Sequence, residues 1–172
     1  MLKLSSNLLN QPVLSLRSGG TISTVVGVLI NPNNLSVVAL YCARSPRDKE
    51  TLVLLPQDIR EWISQGFVVN DHDSLSASND LVRLKDVMKI DYQLIGKPVH
   101  TKGKRRVGRV SDFAVDDGDF TIQKLYVSQN VMKNLSGTGL AVDRNQVIEL
   151  NDKRIIIRDP LQGVPHTAPA LA

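Results

Sequence analysis

The sequence predicts a mainly β protein, built as two small β-barrels in tandem and joined by a short α-helix. Three observations carry this reading. Hydrophobic residues fill 42% of the 172 positions but aromatic residues only 4%. The interior must therefore be made of Val, Leu and Ile, a composition that favours sheet. The chain also repeats itself once, and its short apolar segments are punctuated by Asn/Pro and Asp/Gly turns of the hairpin kind.

The first copy begins at Asn10, "NQPVLSLRSGGTISTVVGVLINPNNLSVVALYC", and the second at Gly96, "GKPVHTKGKRRVGRVSDFAVDDGDFTIQKLYV". Each opens on Pro-Val, at Pro12-Val13 and Pro98-Val99, and continues through a polar loop that carries glycine. A strand follows, "STVVGVLI" or "GRVSDFAV", then a turn, Asn31 to Asn34 or Asp116 to Asp119. A second strand ends in Leu-Tyr, at Leu40-Tyr41 and Leu125-Tyr126. The offset is 86 residues at the proline and 85 at the tyrosine. The tails "PQDIREWISQGFVVND" and "DRNQVIELNDKRIIIRD" match at an offset of 88, each closing on a compact strand. Two copies make a paired chain and not a solenoid, which needs more repeats. Each copy is expected to close around its own interior.

Within the copies, Val25 to Ile30 reads as a strand covered on both faces. In the second copy Phe113 and Val115 share one face while Val110 and Ala114 share the other. The alternation shifts phase between Val107 and Val110, which predicts a bulge near Gly108. Two segments read as helix. "PQDIREWISQG" has Pro56 in a first-turn position, Gly66 past its end, and Ile59, Trp62 and Ile63 on one face. "NDLVRLKDVMK" sets Leu81, Leu84 and Met88 at helical spacing, with Asn79 or Ser78 as the N-cap. Its apolar stripe predicts a rigid connector packed against one or both barrels. The expected division is a first barrel over 1–76, a helical connector over 77–93, a second barrel over 94–160 and a disordered tail over 161–172.

Charge is unevenly spread. Residues 1–93 hold nine Lys and Arg against nine Asp and Glu, whereas residues 94–172 hold twelve against eight, so the whole net charge of +4 lies in the second half. The lone cysteine, Cys42, lies in the apolar stretch "VVALYCA" and reads as a buried small hydrophobe. A single thiol allows no intrachain disulfide and suits a reducing, cytoplasmic setting. The opening residues have no apolar run of signal-peptide length, and no stretch approaches the length that spans a membrane.

The segment "LIGKPVHTKGKRRVGRVSDFAVDDGDFTIQKLYV" resembles the PRC-barrel family, through Gly96-Lys97-Pro98-Val99, Val107-Gly108-Arg109-Val110, an acidic turn and Leu125-Tyr126-Val127. The resemblance covers about residues 8–74 and 94–160. In the first copy Ser23-Thr24 stands where Gly108-Arg109 does, and Asn10-Gln11 where Gly96-Lys97 does. The resemblance implies small curved barrels that act as docking or scaffolding modules, with no catalytic set, in either RNA-associated or membrane-associated surroundings.

The candidate site is a knot of five cations in eight positions: Lys102, Lys104, Arg105, Arg106 and Arg109. Cations on a glycine-bearing turn can displace counterions from phosphates, and arginine can grip phosphate bidentately. The competing reading is a solvated hairpin tip that guards a strand edge. No aromatic residue interleaves the cluster, so bases would find no stacking platform. Asp116, Asp117, Gly118 and Asp119 echo a calcium loop but lack its closing carboxylate, and read as a turn. His72, His100 and His166 are scattered. No nucleophile elbow appears. "SGTGLAV", from Ser136 to Val142, lacks a phosphate-loop pattern and reads as the approach to a strand.

Together these features predict a non-enzymatic adaptor or scaffold that docks a protein partner, without cofactor, metal or small-molecule substrate. The alternative is an RNA- or ribosome-associated accessory protein that uses the basic loop. Peripheral attachment to an anionic membrane ranks third, because the loop has no flanking Trp or Phe to anchor it.

Overall fold

The computed structural model describes residues 1–129 and 139–160. The strands of the first half are β1 (Leu2–Leu4), β2 (Pro12–Ser15), β3 (Gly20–Asn31), β4 (Ser36–Ala43), β5 (Leu52–Leu54), β6 (Ile59–Ile63), β7 (Gly66–Val69) and β8 (Leu75–Ala77). The one α-helix among the described residues, α1 (Lys85–Ile90), precedes β9 (Pro98–Thr101), β10 (Arg106–Asp116), β11 (Ile122–Ser128), β12 (Leu140–Asp143), β13 (Val147–Leu150) and β14 (Ile155–Ile157). The protein is mainly β, in two sheets, one of them a half-barrel.

The two sheets share a strand order. The first runs β6-β7-β2-β3-β4-β5-β8 and the second β13-β14-β9-β10-β11-β12. In each, the strand that opens on Pro-Val lies parallel to the last compact strand, Val13 beside Phe67 and Val99 beside Ile155. The other neighbours are antiparallel. The expected bulge is present, because the β9–β10 register shifts between Arg106 and Gly108. Glycine is required at that point: a Cβ on Gly108 would lie 2.1 Å from the Ser128 carbonyl oxygen.

Four expectations need correction. The segment from Pro56 is a 3-10 turn, Pro56–Asp58, followed by β6 and not by a helix. Ile59, Trp62 and Ile63 imitate helical spacing because β6 carries an irregularity between Ile59 and Glu61, and an extra residue shifts a strand's alternation. Both Ile59 and Trp62 then reach the core. The same device recurs in β13, where the register shifts between Val147 and Glu149 and Val147 and Leu150 pack inward. Gly66 is not a helix terminus but the first residue of β7; its φ of 137° and the Pro12 carbonyl oxygen, 2.1 Å from where a Cβ would lie, admit no side chain.

The second correction concerns the connector. Its α-helical part is only α1, preceded by 3-10 turns at Ser78–Asp80 and Val82–Leu84, and no side chain caps it. Asp91, at φ 44°, ends it. Leu81, Leu84, Val87 and Met88 nevertheless cover Leu29, Ala39 and Val53 on the first sheet. The third is Val26, which is 56% exposed within a run expected to be covered throughout.

The fourth is the core. Two separate interiors were expected, but one apolar cluster runs through both sheets, from Val13, Leu40 and Phe67 to Val99, Leu125 and Ile157. A unit of about 70 residues buries a smaller share of its surface than one of twice that length, and a shared interior raises that share. Trp62 lies at the join, with its ring 4.9 Å from Phe67 and 5.7 Å from Phe120. The N-terminal strand adds a second tie: β1 pairs with β10, Leu4 opposite Ala114, and so joins the sheet of the other half. Lys3 on β1 donates to the Trp62 carbonyl at 2.7 Å and lies 4.4 Å from the Trp62 ring centre.

The β3–β4 and β10–β11 hairpins meet tip to tip. Ser36 bridges Thr121, Val37 N donates to Phe120 O at 2.9 Å, and Ile122 N donates to Leu35 O at 2.9 Å. Each of these residues has its counterpart 85 positions away, so the contact is reciprocal, as across a two-fold axis. Leu35 and Phe120 are counterparts and both adopt left-handed backbone, at φ 49° and 58°. That conformation costs about 1–2 kcal/mol in a residue with a Cβ. Both side chains are buried, and burial of a large apolar side chain returns about 1.5–3 kcal/mol. Burial therefore holds the turn shape.

Candidate functional site: the basic loop and the junction clamp

The basic knot forms the tip between β9 and β10. Its frame is buried Thr101, whose carbonyl accepts from Lys104 N at 2.9 Å and whose Oγ1 accepts from Arg105 N at 3.2 Å. Lys102 N donates to the Ile157 carbonyl at 3.1 Å and pins the tip to β14. The first half has the same frame without the charge. Ser15 is buried at the counterpart of Thr101, its Oγ accepts from Ser18 N at 3.2 Å, and Leu16 N donates to Val69 O at 3.0 Å. Gly19, at φ 70°, turns where Lys104 does, at φ 65°. The fold needs the turn but not five cations.

All five cations are exposed, and the structure divides them. Arg105 pairs with Asp159 at 3.0 Å, and Arg109 donates to the Gly96 carbonyl at 2.8 Å. Among the described residues, no ion pair or hydrogen bond engages the side chains of Lys102, Lys104 or Arg106. A recess of about 630 Å³ lies beside the loop, but it sets Lys102 and Arg158 against Asp143 and Asp159. Those carboxylates would repel a phosphate. An anion is better received at the open tip than in the recess.

The acidic turn is closed by its own hydrogen bonds. Gly118 N donates to Asp116 Oδ1 at 2.9 Å, and Thr121 donates to Asp119 Oδ1 through its amide at 2.9 Å and its hydroxyl at 2.6 Å. The Thr121 bonds hold the Asp119 carboxyl below its ordinary value. The Met1 amine, 2.8 Å from Asp117, does the same for Asp117, aided by Lys3. His72 lies in a 3-10 turn of the first half and His100 in β9 of the second sheet; His166 and residues 136–138 of "SGTGLAV" lie outside the described residues, as does the expected tail. Among the described residues, no group of His, Cys, Asp and Glu is arranged to hold a metal, and no helix is long and apolar enough to cross a membrane.

Cys42 is fully buried as expected, and burial pushes its thiol up to about 11. The neighbouring Ser23 hydroxyl opposes that rise, yet it meets no partner in hydrogen-bond geometry. The pair is packing, not a reactive centre, because a thiol that far above neutral holds its proton.

A feature absent from the sequence reading is Arg144, in the 3-10 turn Arg144–Gln146 after β12. Its Nη1 donates to Leu35 O at 3.0 Å and Ile122 O at 3.3 Å, and its Nη2 to Asn34 O at 2.5 Å. One guanidinium thus clamps both hairpin tips. Backbone carbonyls carry no residue signature, so no motif points to this clamp. No family model and no curated protein matches this chain.

Proposed function

We propose that this chain joins two PRC-type units around one shared interior and serves as a non-enzymatic adaptor that docks a protein partner. The observation that carries this reading is an asymmetry of edges. The outer edge of β5 is covered by β8, Val53 opposite Ser76, while among the described residues nothing pairs with the outer edge of its counterpart β12. A strand edge without a neighbouring strand can receive an extended peptide by main-chain hydrogen bonding. The common strand order and the Pro-Val and Leu-Tyr pattern support the family reading.

The second reading is an RNA- or ribosome-associated protein that uses Lys102, Lys104 and Arg106. Their exposure without ion pairs among the described residues favours it. Capture from lysate with and without RNase, repeated with Lys104/Arg105/Arg106→Glu, separates the two. The adaptor keeps its protein partner after RNase and in the variant, with mild salt dependence. The RNA reading loses its cargo in both cases, and its binding falls steeply with salt. Loss of all capture after RNase would end the adaptor reading.

A further inference from the structure

We infer that the recess between the first sheet and the connector receives an arginine side chain of a docked protein. The recess is about 620 Å³ and is lined by Val37, Val38, Leu55, Pro56, Leu84 and Asp119, among others. By the offsets of 85 and 88, Val38, Leu55, Pro56 and Gln57 of its lining correspond to Gln123, Asp143, Arg144 and Asn145, which line a recess of about 480 Å³ in the other half, and there Arg144 reaches the hairpin carbonyls from the wall. Carried across by the same offsets, Arg144 falls on Pro56, and the carbonyls of Asn34, Leu35 and Ile122 fall on those of Asp119, Phe120 and Val37. Pro56, Val37 and Asp119 all line the recess. Proline supplies no side-chain donor, so this wall of the recess lacks the guanidinium that Arg144 brings to the matching position.

The chemistry of the lining fits the same group. Guanidinium is weakly hydrated and tolerates apolar walls, while its planar donors match several carbonyls at once. Val37, Val38, Leu55 and Leu84 supply such walls. Asp119 adds a carboxylate where the occupied site has the neutral Asn34. Its Oδ1 is engaged by Thr121, and among the described residues its other oxygen has no hydrogen bond. Arg83 also lines the recess; it is exposed and, among the described residues, makes no ion pair or hydrogen bond. Lysine, a compact and strongly hydrated charge, cannot reach three carbonyls in the same way.

The site rests on the adaptor reading only for the source of the arginine, so its test uses a probe free of any partner. N-acetyl-arginine methylamide is titrated into the full isotope-labelled chain while backbone amide shifts are followed. Saturable shifts are expected at Val37, Val38, Leu55 and Gln57. The neutral isostere N-acetyl-citrulline methylamide is expected to leave these amides in place. Asp119→Asn should weaken the response about fivefold, the upper end for an accessible ion pair. Pro56→Arg, which installs the residue of the other half, should abolish it, while Arg83→Gln should preserve or strengthen it. Equal shifts with citrulline, an unchanged response in Asp119→Asn, or loss of the response with Arg83 would each overturn the proposal. A blank titration removes the site and leaves the capture experiment untouched; failed capture leaves the site untouched.

Discussion

The two sheets share a connectivity but finish it differently. The first sheet closes its β5 edge with β8 and lays the connector over Leu29, Ala39 and Val53. The second receives β1 from the far end of the chain, clamps the hairpin tips with Arg144 and carries the basic loop. The interior is conservative, because Pro-Val, the paired turns and the inward residues of β6 and β13 occupy matching places. The variation lies in what covers the outside. This is the pattern expected when packing constrains the shared frame and loops and edges carry the differences.

The comparison is broken most forcefully at the join. Phe120 is 3% exposed, belongs to the second half and stacks near Trp62 of the first. Phe120→Ala should cost about 3–5 kcal/mol. Because the core is shared, the loss should appear in the whole molecule. In urea, fluorescence from the single tryptophan and far-ultraviolet circular dichroism should report one coincident transition, shifted together in the variant. Two separated transitions, with only the second moved, would mean that the halves fold independently.

A smaller effect separates Ser23 from its counterpart Gly108. Gly108→Ser copies the first sheet into the second, yet its Cβ would collide with the Ser128 carbonyl. A loss of about 1–3 kcal/mol is expected, as for an overpacked interior. Ser23→Gly, the reverse exchange, should cost less than about 1 kcal/mol, since it trades backbone freedom for removal of a buried hydroxyl without a partner. Denaturant midpoints of the two variants test the ordering, and equal losses would show that the strands approach equally closely in both sheets.

Alkaline pH sharpens the comparison further. Burial pushes the Cys42 thiol from 9.0 up to about 11 and the Tyr92 phenol from 10.0 up to about 12. Both groups hold their protons more tightly when folded, so the stability they contribute is complete below pH 9. It is lost as pH rises through 11 and then 12. Val127 occupies the counterpart of Cys42 in the second sheet, so Cys42→Val should leave neutral stability within about 1.5 kcal/mol and remove the lower part of the alkaline loss. Thermal melts from pH 7 to 11.5 check this; an unchanged profile in the variant would assign the whole loss to other groups.

Much of this frame is legible in the sequence because it depends on side-chain alternation and turn chemistry. Pro12-Val13 and Pro98-Val99 mark β2 and β9, the Asn and Asp turns mark the hairpins, and the phase shift before Val110 marks the bulge at Gly108. Three features escape for physical reasons. The irregularity at Ile59–Glu61 gives a strand the spacing of a helix. β1 has only three residues and finds its partner more than a hundred residues away, so nothing local announces it. Arg144 binds main-chain carbonyls, which every residue possesses. Of the candidate site, the position of the basic loop is legible in the sequence, whereas the engagement of two of its five cations by Asp159 and Gly96 depends on residues that only the fold brings together.

The smallest expected effect is at that loop. Its tip is held by Thr101, Lys104 and Arg105 through main-chain bonds and the Thr101 hydroxyl, and the sister loop keeps the same frame with Arg17 as its single cation. Lys104/Arg105/Arg106→Glu should therefore change stability by no more than about 0.5 kcal/mol per position. The exposed Arg105–Asp159 pair adds at most about 1 kcal/mol, and salt screens it. Thermal melts at 50 mM and 500 mM sodium chloride would measure this directly. Similar curves for wild type and variant would show that the charge is dispensable to the fold and available for a partner. A large salt-dependent loss in the variant would make the knot a structural element of the second sheet, and the difference between the two loops would then belong to folding, not to binding.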